Sequence, residues 1–190
     1  DPHTPFDSPE PWSRLHDPDE IDLPYHMERD FERRPWWHKQ SLEGTPQLED
    51  PILRKHRATY SRILPPDEKK MRHLIANYYG MISLIDHNVG RILTTLDEFG
   101  LSENTLVVFT ADHGEWLGDH GLLLKGPMLY DGLLRVGCIV NGPGVPADKV
   151  VDDPVSTLDL TSTFYDYAGV SDPMALNSRS MKGLIDGQDS

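Results

Sequence analysis

TLVVFTADHGEWLGDHGLLLKG, residues 105–126, joins an apolar, β-branched run to a group of polar side chains. The apolar run at residues 106–110 is typical of a buried β-strand. Acidic, histidine and lysine side chains follow at once, where that strand ends. In open α/β sheets, ligands bind at the carboxyl ends of the strands. We therefore expect the functional site of this protein directly after residue 110.

Two adjacent residues in this group, Asp112 and His113, are candidate metal ligands. A carboxylate oxygen and an imidazole nitrogen together suit a divalent cation such as Ca²⁺, Mn²⁺, Mg²⁺ or Zn²⁺. Neighbouring side chains on a regular strand point to opposite faces, so the two converge only if the chain leaves strand geometry. Gly114 permits such a turn. On these residues alone, the alternative is a polar loop in which Glu115 and Asp119 cap the next element.

Composition and charge limit the classes of function. The chain has 190 residues, enough for one domain of usual size, and 37% of them are hydrophobic. No apolar run is long enough to cross a bilayer, so we expect a soluble protein of the cytoplasm or periplasm, with the compartment left open. A net charge of −13, from 31 acidic and 18 basic residues, opposes binding to nucleic acids. Anionic substrates are still compatible, because a local cation can reverse the field inside a site.

The single cysteine, Cys138, excludes an internal disulfide bond. Its apolar neighbours at residues 136–140 predict a small buried side chain and not a nucleophile. The chain begins at Asp1 without an initiator methionine or a signal peptide. We interpret it as a piece of a larger protein.

Residues 1–65 are rich in proline, which interrupts any long regular element. The large aromatic side chains of this segment need partners to pack against. They are Trp12, Tyr25, Phe31, Trp36 and Trp37. We therefore predict an extended connecting segment that wraps over the domain or over the rest of the larger protein.

A long amphipathic helix is predicted between Asp67 and Gly100. Apolar side chains recur there at spacings of three and four, at Ile75, Tyr78, Ile82, Ile85, Val89, Ile92 and Leu96. About 33 residues at roughly 1.5 Å each give a helix of about 50 Å. Gly80 and Gly90 predict close packing against the sheet, since each costs about 1 kcal/mol relative to alanine. The Asp-His-Asn triplet at residues 86–88 falls on the opposite face and is interpreted as structural.

Short elements follow the polar group. Residues 136–140 predict a second buried strand, closed by an Asn-Gly-Pro-Gly turn at residues 141–144. Ser156 and Thr157 offer N-caps for a helix that Gly169 ends. The order helix, strand, strand, helix indicates the α/β class.

Residues 109–144, FTADHGEWLGDHGLLLKGPMLYDGLLRVGCIVNGPG, resemble the C-terminal metal-binding motif of the sulfatase family, within the alkaline phosphatase superfamily. The pattern is similar to the branch that includes phosphonate monoester hydrolases and choline-type sulfatases. The resemblance implies an alkaline-phosphatase-like sheet flanked by helices, in a partial domain without its N-terminal, nucleophile-bearing part. Residues 66–190 would then be the C-terminal part of the catalytic domain, and residues 1–65 a connecting segment with the family's Pro-His-x-Pro-Phe element. Residues 177–187 resemble the family's Gly-Arg-Ser-Leu stretch, with Ser178 where glycine is usual.

The resemblance also implies roles for single residues. Asp112 and His113 would bind a divalent metal, with Ca²⁺ expected first and Mn²⁺ as the alternative, since imidazole is softer than the asparagine oxygen of many sulfatases. Lys125 would hold an anionic oxygen or the leaving group, and His3 would act with it as a general acid or hydrogen-bond donor. His120 would contact the substrate or support the site. Without the resemblance, Lys125 would be interpreted as a solvated lysine and His3 as an ordinary surface histidine.

The nucleophile of the family is a formylglycine made from Cys or Ser in a Cys/Ser-x-Pro/Ala-x-Arg motif, which this sequence lacks. Cys138 cannot fill the role, because Ile-Val-Asn follows it at residues 139–141. We therefore expect the isolated chain to hydrolyse nothing measurable. The leading function is the cleavage of small-molecule sulfate esters by the larger protein. A phosphonate monoester or phosphodiester hydrolase and a non-catalytic binding module are the alternatives, and association into a homo-oligomer is left open.

Overall fold

The computed structural model describes residues 2–25, 31–36, 38, 50–52, 67–126, 128–171 and 177–187. The chain divides into two compact units. Unit 1 comprises Asp1–Thr95 and His113–Val136, and unit 2 comprises Leu96–Asp112 and Gly137–Ser190. The domain boundary predicted between residues 65 and 66 lies outside the described residues and stays a prediction.

Helix α1, Glu68–Glu98, has the ends that the sequence predicts. Asp67 Oδ1 accepts a hydrogen bond from the backbone N–H of Lys69 at 2.9 Å, which caps the first turn. Gly100 follows the last turn with a φ of +65°, a left-handed conformation that favours glycine. The predicted start and end of the helix are therefore confirmed.

The apolar stripe of α1 is buried near the start of the helix and exposed near its end. Met71 and Ile75 have exposed fractions of 0% and 3%, and they belong to one core cluster of unit 1. The buried members of that cluster are Ile21, Met71, Ile75, Ala76 and Leu123. Ile92 is 60% exposed. Near the end of the helix, the stripe therefore has little cover from the described residues.

The N-terminal segment packs on the middle of α1. It contains 3₁₀ turns at Trp12–Arg14, Pro18–Glu20 and Phe31–Arg33. The Phe6 ring meets Tyr78 edge-on, with 5.1 Å between ring centroids. The Trp12 and His87 rings are 5.3 Å apart. This segment therefore finds part of the aromatic packing that its composition predicts.

Two other aromatic side chains of the segment have no cover among the described residues. Tyr25 is fully exposed and Trp36 is 75% exposed. Their packing on the domain or on the rest of the larger protein stays a prediction. Trp37 lies outside the described residues.

The two glycines inside α1 have different surroundings. A Cβ atom on Gly80 would lie 2.9 Å from Ser8 Oγ and would overlap the carbonyl oxygen of Trp12. Close packing at Gly80 is therefore confirmed, although the partner is the N-terminal segment and not the predicted sheet. A Cβ atom on Gly90 would have no described atom within 4 Å, so the prediction of close packing is wrong there.

The sheet of unit 2 has two antiparallel strands in the described part of the chain. Strand β1, Val107–Thr110, follows a 3₁₀ turn at Ser102–Asn104. Strand β2, Cys138–Asn141, pairs with it so that Val107 faces Asn141 and Thr110 faces Cys138. Both predicted strands are present. The predicted runs were residues 106–110 and 136–140, so β1 ends where predicted and β2 ends one residue later than predicted.

The prediction that these strands and Cys138 are buried is wrong. Phe109 of β1 is 45% exposed and Ile139 of β2 is 65% exposed. Cys138 is also exposed. The reason is that two strands alone leave the apolar faces of a sheet without the layer that normally covers them.

Helix α2, Asp131–Leu134, belongs to unit 1, and helices α3, Asp159–Ala168, and α4, Lys182–Asp186, belong to unit 2. Thr163 of α3 is 1% exposed, and its hydroxyl accepts a hydrogen bond from the backbone N–H of Met181 at 2.8 Å. Gly169 ends α3 with a φ of +66°, as predicted. The helix begins at Asp159, shortly after the predicted caps. Ser156 still caps this end, because its Oγ accepts a hydrogen bond from Leu158 N at 3.2 Å and its own N–H donates to Asp159 Oδ2 at 2.9 Å.

Hydrogen bonds shift the pKa values of two aspartates in these helices. The backbone N–H groups of Arg179 and Ser156 hold the pKa of Asp159 below its usual value. At Asp186, the main cause of a lowered pKa is the hydrogen bond from Lys182, whose Nζ lies 2.7 Å from Oδ2. Both carboxylates are therefore favoured in their charged form.

Candidate functional site

The chain leaves strand geometry directly after β1. Asp112, in unit 2, lies in a bend and is exposed. His113, the first residue of the second segment of unit 1, is half-buried. His113 Nδ1 lies 2.8 Å from the carbonyl oxygen of Gly114. A carbonyl can only accept, so Nδ1 carries the proton, and in a neutral ring the lone pair is on Nε2.

Gly114 is required by a close approach within unit 1. Its N–H donates to the carbonyl oxygen of Leu133 at 2.8 Å. A Cβ atom on Gly114 would overlap the carbonyl oxygen of Gly132 and would lie 3.2 Å from the Cα of Leu133. This contact joins the start of the polar loop to helix α2, Asp131–Leu134.

Glu115 is half-buried at the start of the loop that follows. Its Oε1 accepts a hydrogen bond from the N–H of Trp116 at 3.1 Å. Burial raises the pKa of Glu115, although backbone N–H groups and the charge of Lys125 act in the opposite direction. Glu115 thus satisfies the first N–H group of the loop.

The loop from residue 116 to residue 124 turns back on itself. Trp116 N donates to Leu124 O at 3.2 Å, and Gly118 N donates to Leu122 O at 2.8 Å. Trp116 and Leu122 are 2% and 1% exposed and join a core cluster with Met128, Tyr130 and Leu133. The adjacent Leu123 belongs to the cluster on α1 instead. The loop is therefore anchored on both of its sides.

His120 is at the tip of this loop, with a φ of +52°. Its ring stacks on Tyr130 at 3.9 Å between centroids and 15° between planes. Its Nε2 lies 3.6 Å from Asp119 Oδ2. The Cζ of Arg34 lies 4.7 Å from the centroid of the same tyrosine ring, a cation–π contact. His120 is therefore held in one orientation within a polar and aromatic cluster.

Lys125 follows the loop directly and is half-buried. Its charge acts to lower the pKa of Glu115, against the larger effect of burial. Burial and, second, the charge of Glu115 raise the pKa of Tyr78 in α1. Lys125 is thus partly shielded from solvent, and its catalytic role stays a prediction.

His3 is exposed near the start of the described chain. Its Nδ1 lies 2.9 Å from the carbonyl oxygen of Thr4, so Nδ1 is protonated here as well. The next aromatic residue, Phe6, packs on Tyr78 of α1. The described contacts therefore fix the segment that carries His3, and its role in catalysis stays a prediction.

The chemistry of Asp112 and His113 suits a divalent metal, but two ligands are too few to complete a site. An exposed carboxylate at Asp112 and the Nε2 lone pair of His113 are suitable ligands. Among the described residues, no group of three or more His, Cys, Asp or Glu side chains could hold a metal ion. Further ligands would have to come from elsewhere.

No helix in the described part of the chain is long and apolar enough to span a membrane.

Sequence reasoning missed one residue of this region, Tyr130. Tyr130 is 8% exposed and receives both the His120 ring and the Arg34 guanidinium. No local pattern marks it, because its partners are distant in sequence. Arg135 lies 3.9 Å from Asp131 in an exposed ion pair. Such a pair contributes little to stability.

Comparison with known proteins gives a consistent result. A sequence profile described as Sulfatase matches residues 32–170. The chain is 36% identical over 128 residues to an arylsulfatase of Clostridium perfringens, covering 65% of this chain and 26% of that protein. It is 36% identical over 104 residues to a choline-sulfatase of Rhizobium meliloti, covering 55% of this chain and 20% of that protein. The chain therefore spans about a quarter or less of the length of these curated relatives.

A solved structure extends the similarity to the whole chain. The phosphonate monoester hydrolase from Silicibacter pomeroyi superposes with a TM-score of 0.76 at 29% identity, covering 100% of this chain and 36% of that chain. The predicted fold class, an α/β alkaline-phosphatase-like fold of which this chain is a part, is confirmed by this similarity. The resemblance stated for residues 109–144 is confirmed as well, since the matched profile includes them.

Proposed function

The chain belongs to the sulfatase family, and we propose that it supplies the metal-binding and leaving-group side of an active site that cleaves sulfate esters. The observation that carries the proposal is the match of the Sulfatase profile to residues 32–170, which include Asp112, His113, His120 and Lys125. The position of His120 on the anchored loop, with Lys125 directly after it, gives further support.

Asp112 and His113 would hold a divalent cation. The carboxylate contributes a hard oxygen ligand, and the hydrogen bond between His113 Nδ1 and Gly114 O selects the tautomer whose Nε2 can bind a metal. When bound, the ion would withdraw charge from sulfur or phosphorus through the nonbridging oxygens of the ester. Ca²⁺ is the first expectation. Mn²⁺ is the second, because the nitrogen ligand of a histidine is softer than the amide oxygen of an asparagine.

Lys125 and His3 would act on the leaving group. The ammonium group of Lys125 would stabilise negative charge that develops on the departing oxygen. As an imidazolium, His3 would donate its Nε2 proton to the same oxygen while its Nδ1–H donates to Thr4 O. His120, fixed by its stacking on Tyr130, would contact the substrate. The nucleophile, a formylglycine, would come from a part of the full-length protein outside this sequence.

A phosphonate monoester or phosphodiester hydrolase is the second candidate. Two observations favour it: the superposition on a phosphonate monoester hydrolase covers the whole chain, and histidine stands at position 113 where many sulfatases have asparagine. The same roles for this chain's residues apply to both reactions, because both leaving groups depart as anionic oxygens. Substrate preference would therefore depend on residues outside this sequence.

The test is an assay of the full-length natural protein that contains this sequence. It should be supplied with Ca²⁺ or Mn²⁺ and given 4-nitrophenyl sulfate and 4-nitrophenyl phenylphosphonate, which share a leaving group. We expect higher kcat/KM for the sulfate ester, and a loss of at least about 100-fold in D112A, H113A and K125A, in the range for lost electrostatic stabilisation. E103Q, at an exposed carboxylate in the turn before β1, should retain wild-type activity.

Two results would contradict the proposal. The first is a full-length protein that hydrolyses neither ester in either metal. The second is undiminished activity in both D112A and H113A. A preference for the phosphonate ester would instead favour the second candidate. The 190-residue chain alone is expected to turn over neither ester, and robust hydrolysis by it would contradict the expectation that the nucleophile lies outside.

A further inference from the structure

The Tyr130 ring is shared by two parts of unit 1 that are distant in sequence. From the loop, the His120 ring stacks on it at 3.9 Å between centroids and 15° between planes. From the N-terminal segment, the Cζ of Arg34 lies 4.7 Å from its centroid, and the His38 ring meets it edge-on at 6.1 Å. One side chain therefore connects this part of the N-terminal segment with the tip of the loop.

The backbone at the tip of the loop is set by local hydrogen bonds. His120 has a φ of +52°, which side chains other than glycine rarely adopt, and the nearby Gly118 and Gly121 have φ values of +103° and +70°. Gly121 N donates to Gly118 O at 3.0 Å and closes this turn. The turn fixes the backbone of His120, and side-chain contacts set the plane of its ring.

Stacking on Tyr130 sets that plane. A nearly parallel contact at 3.9 Å defines the position and the tilt of the imidazole together. The Nε2 of His120 lies 3.6 Å from Asp119 Oδ2, which is longer than a normal hydrogen bond, so this contact constrains the ring less. The orientation of His120 therefore depends on how firmly the Tyr130 ring is held.

The core and the N-terminal segment both hold the Tyr130 ring. Tyr130 is 8% exposed and belongs to the core cluster beneath the loop. In the segment, His38 N donates to Pro35 O at 3.0 Å, and this turn keeps Arg34 and His38 close to the same ring. The contact of Arg34 is electrostatic, because a cation is attracted to the negative face of an aromatic ring. Arg34 thus fixes the ring plane from outside the core cluster.

We propose that Arg34 is a positioning residue for His120 and acts through the shared ring of Tyr130. Its guanidinium holds the phenol in the plane on which the imidazole stacks, so the imidazole is oriented before substrate binds. The role of His120 as a substrate contact rests on the proposed function, whereas the stack of the three side chains does not. A merely structural arginine would change stability without a specific effect on the step that uses His120.

The first test measures the stack in the 190-residue chain by NMR. Protons over the face of an aromatic ring resonate upfield, and the imidazole signals of His120 are assigned by their loss in H120Q. We expect Y130L to abolish the upfield displacement and R34M to reduce it, whereas R34K should retain part of it. R33M, the same substitution at the adjacent exposed arginine, should leave the signals unchanged. Unchanged His120 signals in R34M would overturn the inference.

The second test measures the reaction of the full-length protein with 4-nitrophenyl sulfate. H120A first shows whether His120 acts on kcat or on KM. We expect R34M to impair the same parameter by about twofold to fivefold, the equivalent of about 0.4–1 kcal/mol and within the range of a cation–π contact. R34K should recover part of the loss, and R33M should match the wild type. In the H120A background, R34M should cause no further loss, because residues that act through one another are non-additive.

The outcomes separate this inference from the proposed function. If H120A keeps full activity, the role of His120 is wrong, while the NMR signals still decide whether Arg34 holds the stack. If H120A is impaired but R34M keeps full activity, or if the two effects multiply in the double variant, Arg34 does not act through His120 and the inference is wrong. R34M replaces a half-buried side chain outside the core cluster, so these results do not depend on whether Y130L folds.

Discussion

Replacement of Gly80 by alanine tests how the N-terminal segment is held on α1. Alanine stabilises a helix interior by about 1 kcal/mol relative to glycine. At Gly80, however, the new Cβ would lie 2.9 Å from Ser8 Oγ and would overlap the carbonyl oxygen of Trp12. That oxygen accepts a hydrogen bond from Leu15 N at 3.3 Å within a 3₁₀ turn, so it yields less easily than the end of a side chain.

Gly90 gives a matched control in the same helix, because a Cβ atom there meets no described atom within 4 Å. Overpacking costs about 1–3 kcal/mol, and this is the expected difference between G80A and G90A. We expect G90A to raise the free energy of unfolding by up to about 1 kcal/mol. G80A should leave it near the wild-type value or lower it by up to about 2 kcal/mol, the overpacking cost less the helix gain.

Urea unfolding followed by tryptophan fluorescence measures this difference. NOE contacts between the rings of Trp12 and His87, which are 5.3 Å apart, report whether the segment has moved. If G80A stabilises the chain as much as G90A while these contacts persist, the packing argument is wrong. The result also bears on function, since the same segment carries His3.

Three further predictions concern unit 2 and the metal. T163V removes the acceptor of the Met181 N–H and should lower the free energy of unfolding by about 1–3 kcal/mol. T94V, at an exposed hydroxyl, is the control and should change it by less than about 0.5 kcal/mol. Equal effects of the two variants in chemical denaturation would contradict this. Because the pKa values of Asp159 and Asp186 are lowered in the folded state, their stabilisation is present above the usual aspartate pKa of about 4 and is lost as the pH falls through their folded values. D159N and D186N should therefore lower the melting temperature at pH 7 and have less effect near pH 2, and a pH-independent difference would refute the assignment. Chelation of divalent metal should abolish ester hydrolysis by the full-length protein, and Ca²⁺ or Mn²⁺ should restore it; full activity after chelation would contradict a metal-dependent site.

Local patterns predicted the regular elements well. The ends of α1 follow from Asp67 and Gly100, because a cap and a left-handed glycine act within one turn of the helix. The two strands follow from short β-branched runs, and their bounds are correct to within one or two residues. The antiparallel pairing and the exposed faces could not be predicted in the same way, because they depend on which layers surround the sheet.

The arrangement of the loop depends on contacts that no local pattern contains. The sequence predicted that Gly114 permits a turn, but the structure shows that it is needed where the chain meets Gly132, eighteen positions later. Glu115 was predicted to be a cap and accepts a hydrogen bond from the adjacent Trp116 N–H, whereas the bond from Trp116 N to Leu124 O, eight residues later, depends on the fold of the loop. The metal ligands, Lys125, His120 and His3 were assigned by resemblance, and only their surroundings are now described.

The exposed Cys138 makes this chain convenient for spectroscopy. It is the single thiol in the sequence, so a maleimide or methanethiosulfonate reagent will label one position without any engineered substitution. It pairs with Thr110, two residues before Asp112 and within the same unit. A nitroxide attached there would sense a paramagnetic Mn²⁺ ion held by Asp112 through the broadening of its own resonance, and diamagnetic Ca²⁺ would supply the matching blank.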